Sequence, residues 1–173
     1  MKHISLIIIM MLLSFGAYAQ KIDADFSQIR EMKVSGKTTA MEGHINFDGA
    51  DQLSMIYSNP EGDYFIIEGN LVKINLLKKK AELDAEKVAM VKVQRSTLLN
   101  CLSGNWEQAA IDNNAESTIS EKDGFRHVLI KAKGKVPKGG YSSVELTYRI
   151  SDGNLTKMVL EEAIGVKNTY EMK

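Results

Sequence analysis

The chain has 173 residues, of which 44% are apolar and 25% charged, with 22 Lys and Arg against 22 Asp and Glu. That length supports a single core without metals or disulfides, and the even charge balance lacks the basic excess of a nucleic-acid binder. One cysteine excludes an internal disulfide framework and a Cys-x2-Cys zinc knuckle.

The first nineteen residues read as a signal peptide. Met1-Lys2-His3 carries a positive charge, an apolar stretch runs from Leu6 to Leu13, and Ala17-Tyr18-Ala19 has the small-x-small pattern cleaved by a signal peptidase. The competing reading, an uncleaved anchor, needs a longer uninterrupted apolar run than Ile4 to Ala19 supplies. Residue 20 is Gln rather than the Cys of a lipid-anchored leader. Cleavage after Ala19 leaves one domain, residues 20–173, exported and near neutral.

From Ile22 to Lys33 the apolar residues Ile22, Phe26, Ile29 and Met32 fall on a helical stripe, predicting a short amphipathic helix. Alternation follows. Met41, Gly43, Ile45 and Phe47 form one set and Leu53, Met55 and Tyr57 the next, with turns at Asp48-Gly49 and Asn59-Pro60-Glu61-Gly62. Gly69-Asn70 reads as a two-residue hairpin loop that pairs Glu68 with Leu71, Ile67 with Val72 and Phe65 with Ile74. Those four apolar residues share one face, while Tyr64, Glu68, Lys73 and Asn75 take the other.

Lys78-Lys79-Lys80 reads as a solvated strand end that discourages edge pairing, or as a patch that approaches anionic head groups. A long helix is predicted from Asp84, as N-cap, to Leu102, with Val88, Val91, Arg95, Leu98 and Leu102 at helical steps. Trp106 to Ala110 adds one turn.

Strands return at 118–121 and 125–131 around Asp123-Gly124, then in the alternating set Val144, Leu146, Tyr148 and Ile150, at 155–161 and at 166–172. Lys133 to Gly140 reads as a loop. The turn at Asp152-Gly153-Asn154 fits two or three loop residues. Three is favoured because it pairs Tyr148 with Met158 and Leu146 with Leu160. The expected architecture is α+β: a curved antiparallel sheet of roughly nine to eleven strands with two helical insertions on its apolar side.

Catalytic signatures are lacking. After cleavage two histidines remain, His44 and His127, each in a predicted strand. No nucleophile elbow, zinc helix or phosphate loop occurs. A hydrolase would have to assemble a dispersed triad around one of those histidines. Cys101, among Leu98, Leu99 and Leu102, reads as a small buried hydrophobe rather than a reactive thiol. The apolar sheet face opposite the helix stripe fits either a filled core or a greasy cavity, and pattern does not separate the two.

Several segments together resemble the LolA-like periplasmic carriers of outer-membrane lipoproteins. Ala24-Asp25-Phe26-Ser27-Gln28 is similar to that family's opening Ala-x-Phe-x-Gln helix, and Gly43-His44-Ile45-Asn46-Phe47 to its Gly-x-apolar-x-Phe strand. Leu53 to Pro60 matches the strand ending Tyr-x-x-Pro, Gly69 to Ile74 the following hairpin, Leu98 to Gly104 its Leu-Leu-x-x-Leu-x-Gly helix end, and Gly165 to Met172 its closing strand. The resemblance implies an incomplete β-barrel around a hydrophobic cavity with helices as a lid. It also implies a non-enzymatic, cofactor-free and metal-free monomer in the periplasm that shields the acyl chains of a lipoprotein or another acylated lipid. Transient contacts with inner- and outer-membrane transport components come with that role. Ser54 and Met55 stand where the family carries an Arg-Trp pair, so the family's Arg latch is missing. On this reading the cavity is lined by Ile45, Phe47, Met55, Tyr57, Phe65, Ile67, Val72 and Ile74 from the sheet and by Val91, Leu98 and Leu102 from the helix. The alternative is a regulatory or adaptor module of the same fold that docks a protein partner in its apolar cleft.

Overall fold

Alternating apolar and polar residues need a partner on each side to satisfy their backbone, and here they find it in one continuous antiparallel sheet. A computed structural model describes residues 20–173, so the expected signal peptide lies outside the described residues. Strands β1 (Ile22–Met32), β2 (Lys37–Phe47), β3 (Gln52–Asn59), β4 (Tyr64–Glu68), β5 (Leu71–Leu76) and β6 (Lys79–Asp84) form a first meander. Helices α1 (Ala89–Leu102) and α2 (Trp106–Asp112) follow. A second meander comprises β7 (Ala115–Lys122), β8 (Phe125–Ala132), β9 (Tyr141–Arg149), β10 (Leu155–Glu162) and β11 (Val166–Met172).

β11 pairs with β1, so the strand order is β6-β5-β4-β3-β2-β1-β11-β10-β9-β8-β7. The two outer strands, β6 and β7, do not meet. The curved sheet therefore stays open, as the α+β reading anticipates. Both helices come from the single segment between β6 and β7, where two separate insertions were expected. α2 lies against β7 and β8.

The predicted first helix is strand β1, paired residue by residue with β2 from Ile22↔Phe47 to Met32↔Lys37. Ile22, Ala24, Phe26, Gln28 and Arg30 point to the inner face. Ile29, counted as part of a helical stripe, faces outward and is 46% exposed. Two polar residues on the inner face, Gln28 and Arg30, hide the period of two and leave a spurious period of three to four.

Asp84 ends β6 and is not a helix cap. Its carboxylate accepts the Glu86 N–H at 2.9 Å, and its carbonyl accepts the N–H groups of Lys87 and Val88. That turn delays α1 to Ala89, with Val88 at its N-cap. The residues before it were free to pair: Lys79 and Lys80 join edge strand β6, opposite Leu76 and Asn75. Their charge protects an open edge from further pairing. Leu77 and Lys78 make the β5–β6 turn, both at positive φ.

The β4–β5 register agrees with the sequence reading at every pair named. The β9–β10 register does not. Met158 pairs with Leu146 and Leu160 with Val144, two residues from the expected alignment, because residues 150–154 form a longer loop and an irregularity follows Leu155. A two-residue slip preserves the face, so Met158 and Leu160 are still buried. Ile150 lies beyond β9 and is 45% exposed.

Candidate functional site

Consecutive registers carry the inner face across the sheet. Ile45 pairs with Met55, Met55 with Phe65, Phe65 with Ile74, and Ile67 with Val72. Phe47 meets Leu53, which in turn meets Ile67. A wall four strands wide results, with no polar side chain among these residues. Ile45, Phe47, Met55, Tyr57, Ile67 and Val72 are buried, and Phe65 and Ile74 are half-buried.

From α1, Val91, Leu98 and Leu102 are buried in the same apolar cluster. All eleven sequence-predicted residues thus converge. Leu53, Phe26, Met41 and the inner rows of β8 to β11 belong to that cluster too. Their alternation was visible in the sequence everywhere except on β1.

Gly43 makes the β2–β3 approach possible. A Cβ there would collide with the Ile56 carbonyl oxygen, and the rings of Phe26 and Tyr57, its two cross-strand neighbours, meet edge-on at 5.3 Å.

α1 is fastened to the sheet chiefly by apolar contact. Its Arg95 Nε–H donates to the Gly69 carbonyl in the β4–β5 turn. The Tyr148 hydroxyl, from β9, donates to the Cys101 carbonyl at 3.1 Å and receives the Trp106 indole N–H at 3.2 Å. Asn113 ties the helices together and to β9: its amide donates to the Thr97 hydroxyl at 2.7 Å, and its oxygen accepts the Tyr141 N–H at 2.7 Å. Burial pushes the Cys101 thiol up to about 12, which keeps it protonated and inert.

A polar patch borders the apolar wall on the same face. Buried Gln28 accepts the Tyr57 hydroxyl at 2.7 Å and donates to Asn168 Oδ1 at 3.0 Å. Arg30 Nη1 donates to the same oxygen at 3.3 Å. Half-buried Glu162 lies nearby; desolvation raises its pKa, against the opposing pull of Arg30 and a hydrogen bond from Asn168. Burial likewise raises the phenols of Tyr57 and Tyr170. Sequence reasoning missed this patch because β1 was read as a helix.

The histidines lie on the outer face. Both ring nitrogens of His44 are taken, by Asp25 at 2.9 Å and Asp23 at 2.7 Å. His127 Nδ1 lies 3.4 Å from the Thr147 hydroxyl. A cleft of about 280 Å³ also opens on that side, lined by Ser27, Ile29, Ala40, Glu42 and Thr169 among others.

No family model matches the chain, and no curated protein does. Solved structures do resemble it. A LolA superfamily protein from Nitrosomonas europaea aligns over 90% of this chain and 84% of its own, with 9% identity and a TM-score of 0.39. A chain of the Pseudomonas aeruginosa MucA/MucB complex aligns over 90% of this chain, which spans 52% of that one, with 11% identity and a TM-score of 0.47. The Mycobacterium tuberculosis lipoprotein LppX aligns over 98% of this chain and 94% of its own, with 10% identity and a TM-score of 0.38. At these identities and TM-scores the alignments are a likeness in outline, and the architecture rests on the open eleven-stranded antiparallel sheet itself.

Proposed function

We propose that this chain is a non-enzymatic periplasmic carrier that shields the acyl chains of a lipoprotein, or of another acylated envelope lipid, against the inner wall of its open sheet. One observation carries the reading. The inner wall of β2 to β5 is uninterruptedly apolar and is covered by a helix with few polar ties to the sheet. In this closed arrangement the wall is buried, so a chain enters by displacing α1.

Magnitudes put the closed and loaded states close to balance. Each methylene hidden from water contributes roughly 0.8 kcal/mol, so a palmitoyl-length chain gains roughly 12 kcal/mol. Releasing the Arg95 and Tyr148 hydrogen bonds costs on the order of 1–3 kcal/mol, and lifting the buried Val91, Leu98 and Leu102 off the wall costs roughly 1.5–3 kcal/mol each. The same apolar wall then serves the closed state and the loaded one, with α1 and the cargo competing for it. Competition of this kind lets a carrier both hide its cargo and give it up.

Native mass spectrometry of the protein purified without detergent tests the proposal. An acyl-bearing adduct, or uptake of an added acyl probe, is the expected result. Protein recovered ligand-free that also ignores acylated peptides and fatty-acid probes contradicts it.

A further inference from the structure

A carrier wall needs only apolar residues, yet the polar patch beside this one sets a cation, Arg30 of β1, on the same inner face. Arg30 lies two residues from the end of β1, between Thr39 of β2 and Asn168 of β11. Its Nη1 is spent on Asn168, whereas its Nε–H is buried without any acceptor among the described residues. Among those residues no carboxylate reaches salt-bridge distance of the guanidinium: Glu162 feels its charge from farther off and is hydrogen-bonded by Asn168, and Lys33, not Arg30, takes Glu161. A partly buried guanidinium normally finds a counter-charge, and an orphaned buried donor calls for a missing partner. The edge left over carries Nε–H and Nη2–H side by side, the fork that donates in parallel to two oxygens of a carboxylate or phosphate.

Resting on the carrier reading, we propose that Arg30 is the head-group anchor of the site, and that the cargo it selects is an amphiphile with an acidic head, carboxylate or phosphate. The geometry supplies both ends of such a ligand. Phe26 and Tyr57 continue inward from the patch to the apolar wall and give the tail its path. Arg30, near the rim of the sheet and only partly covered, receives the head. Asn168 holds the guanidinium in place, and Gln28 in turn fixes Asn168.

The test compares three probes of equal tail length, oleate, oleyl phosphate and oleyl alcohol, by displacement of a fluorescent fatty-acid analogue from the full mature chain. The wild-type protein is expected to bind the two acids about tenfold or more tighter than the alcohol, the scale of a charge-assisted bidentate contact. Arg30→Gln should erase that preference while leaving the alcohol within about twofold. Thr39→Glu, which places a carboxylate on the facing strand position without touching the buried patch, should do the same and guards against misfolding of the first variant. Preference for one acid over the other identifies whether carboxylate or phosphate is the natural head. Equal binding of all three probes, unchanged in both variants, overturns the anchor and leaves the carrier standing. No binding of any probe by the wild-type chain overturns the carrier and the anchor together.

Discussion

Two neighbouring regions of one sheet face differ in what holds them. The wall of β2 to β5 is packed side chain on side chain, with Ile45, Phe47, Met55 and Ile67 satisfied by contact alone. The Gln28–Asn168–Tyr57 patch, which adjoins it on the same inner face through Tyr57, is fixed by directional hydrogen bonds and one incompletely partnered cation. Contact of the first kind is transferable, because any apolar surface can replace another, whereas hydrogen bonds of the second kind recognise particular atoms. One region suits shelter for a tail; the other suits discrimination of a head.

The largest expected effect lies in the wall. Phe47→Ala removes a fully buried ring and should lower unfolding free energy by about 3–5 kcal/mol, read as a drop in denaturant midpoint at unchanged slope. A loss below about 1 kcal/mol would mean that this position is not tightly packed and that the wall is already open.

Gln28→Leu comes next. It strands the Tyr57 hydroxyl and one bond to Asn168, and should cost about 1–3 kcal/mol. Adding Tyr57→Phe removes the stranded hydroxyl, so the double variant should lose less than the two single losses added together. Simple additivity would show that the patch is not a connected network.

Arg95→Ala breaks the tie between α1 and the β4–β5 turn. About 1 kcal/mol of stability should go, and uptake of a fluorescent acyl probe should become faster. Unchanged uptake would take α1 out of the entry route.

His44 supplies the smallest effect, on the outer face. Hydrogen bonds with Asp25 first and Asp23 second raise its pKa above the ordinary 6.5, against slight desolvation. A raised folded-state value means stability that is complete below the unfolded pKa and lost as pH rises through the folded one. Exposed pairs of this kind contribute below about 1 kcal/mol. Melting temperatures of wild type and His44→Asn should therefore differ at about pH 5 and converge by about pH 9. Parallel curves would remove the His44–Asp pairs from the stability account.

Legibility in the sequence tracks the same contrast. The β4–β5 hairpin could be aligned because Phe65, Ile67, Val72 and Ile74 alternate cleanly around Gly69, and their side chains serve packing alone. β1 could not, because Gln28 and Arg30 occupy inward positions where alternation calls for apolar residues. Local pattern fails where side chains are chosen for something other than the core, and here it failed at the patch proposed to meet the head group. The β9–β10 register slipped for another reason: a loop of five residues and an irregular pairing leave no trace in alternation. That eight sheet residues and Val91, Leu98 and Leu102 of α1 share one apolar cluster was anticipated from periodicity and resemblance together. How α1 is fastened over the wall, by Arg95 to the β4–β5 turn and by the Tyr148 hydroxyl of β9, required the three-dimensional arrangement.

Photo-crosslinking with a diazirine-bearing fatty acid, mapped by peptide mass spectrometry, bears most directly on the shelter proposed beneath α1. Adducts should concentrate on peptides that carry Ile45, Met55, Phe65 and Leu98, and should fall when unlabelled palmitate is added. Adducts confined to the outer cleft around Ile29 and Ala40, or scattered without competition, would contradict it.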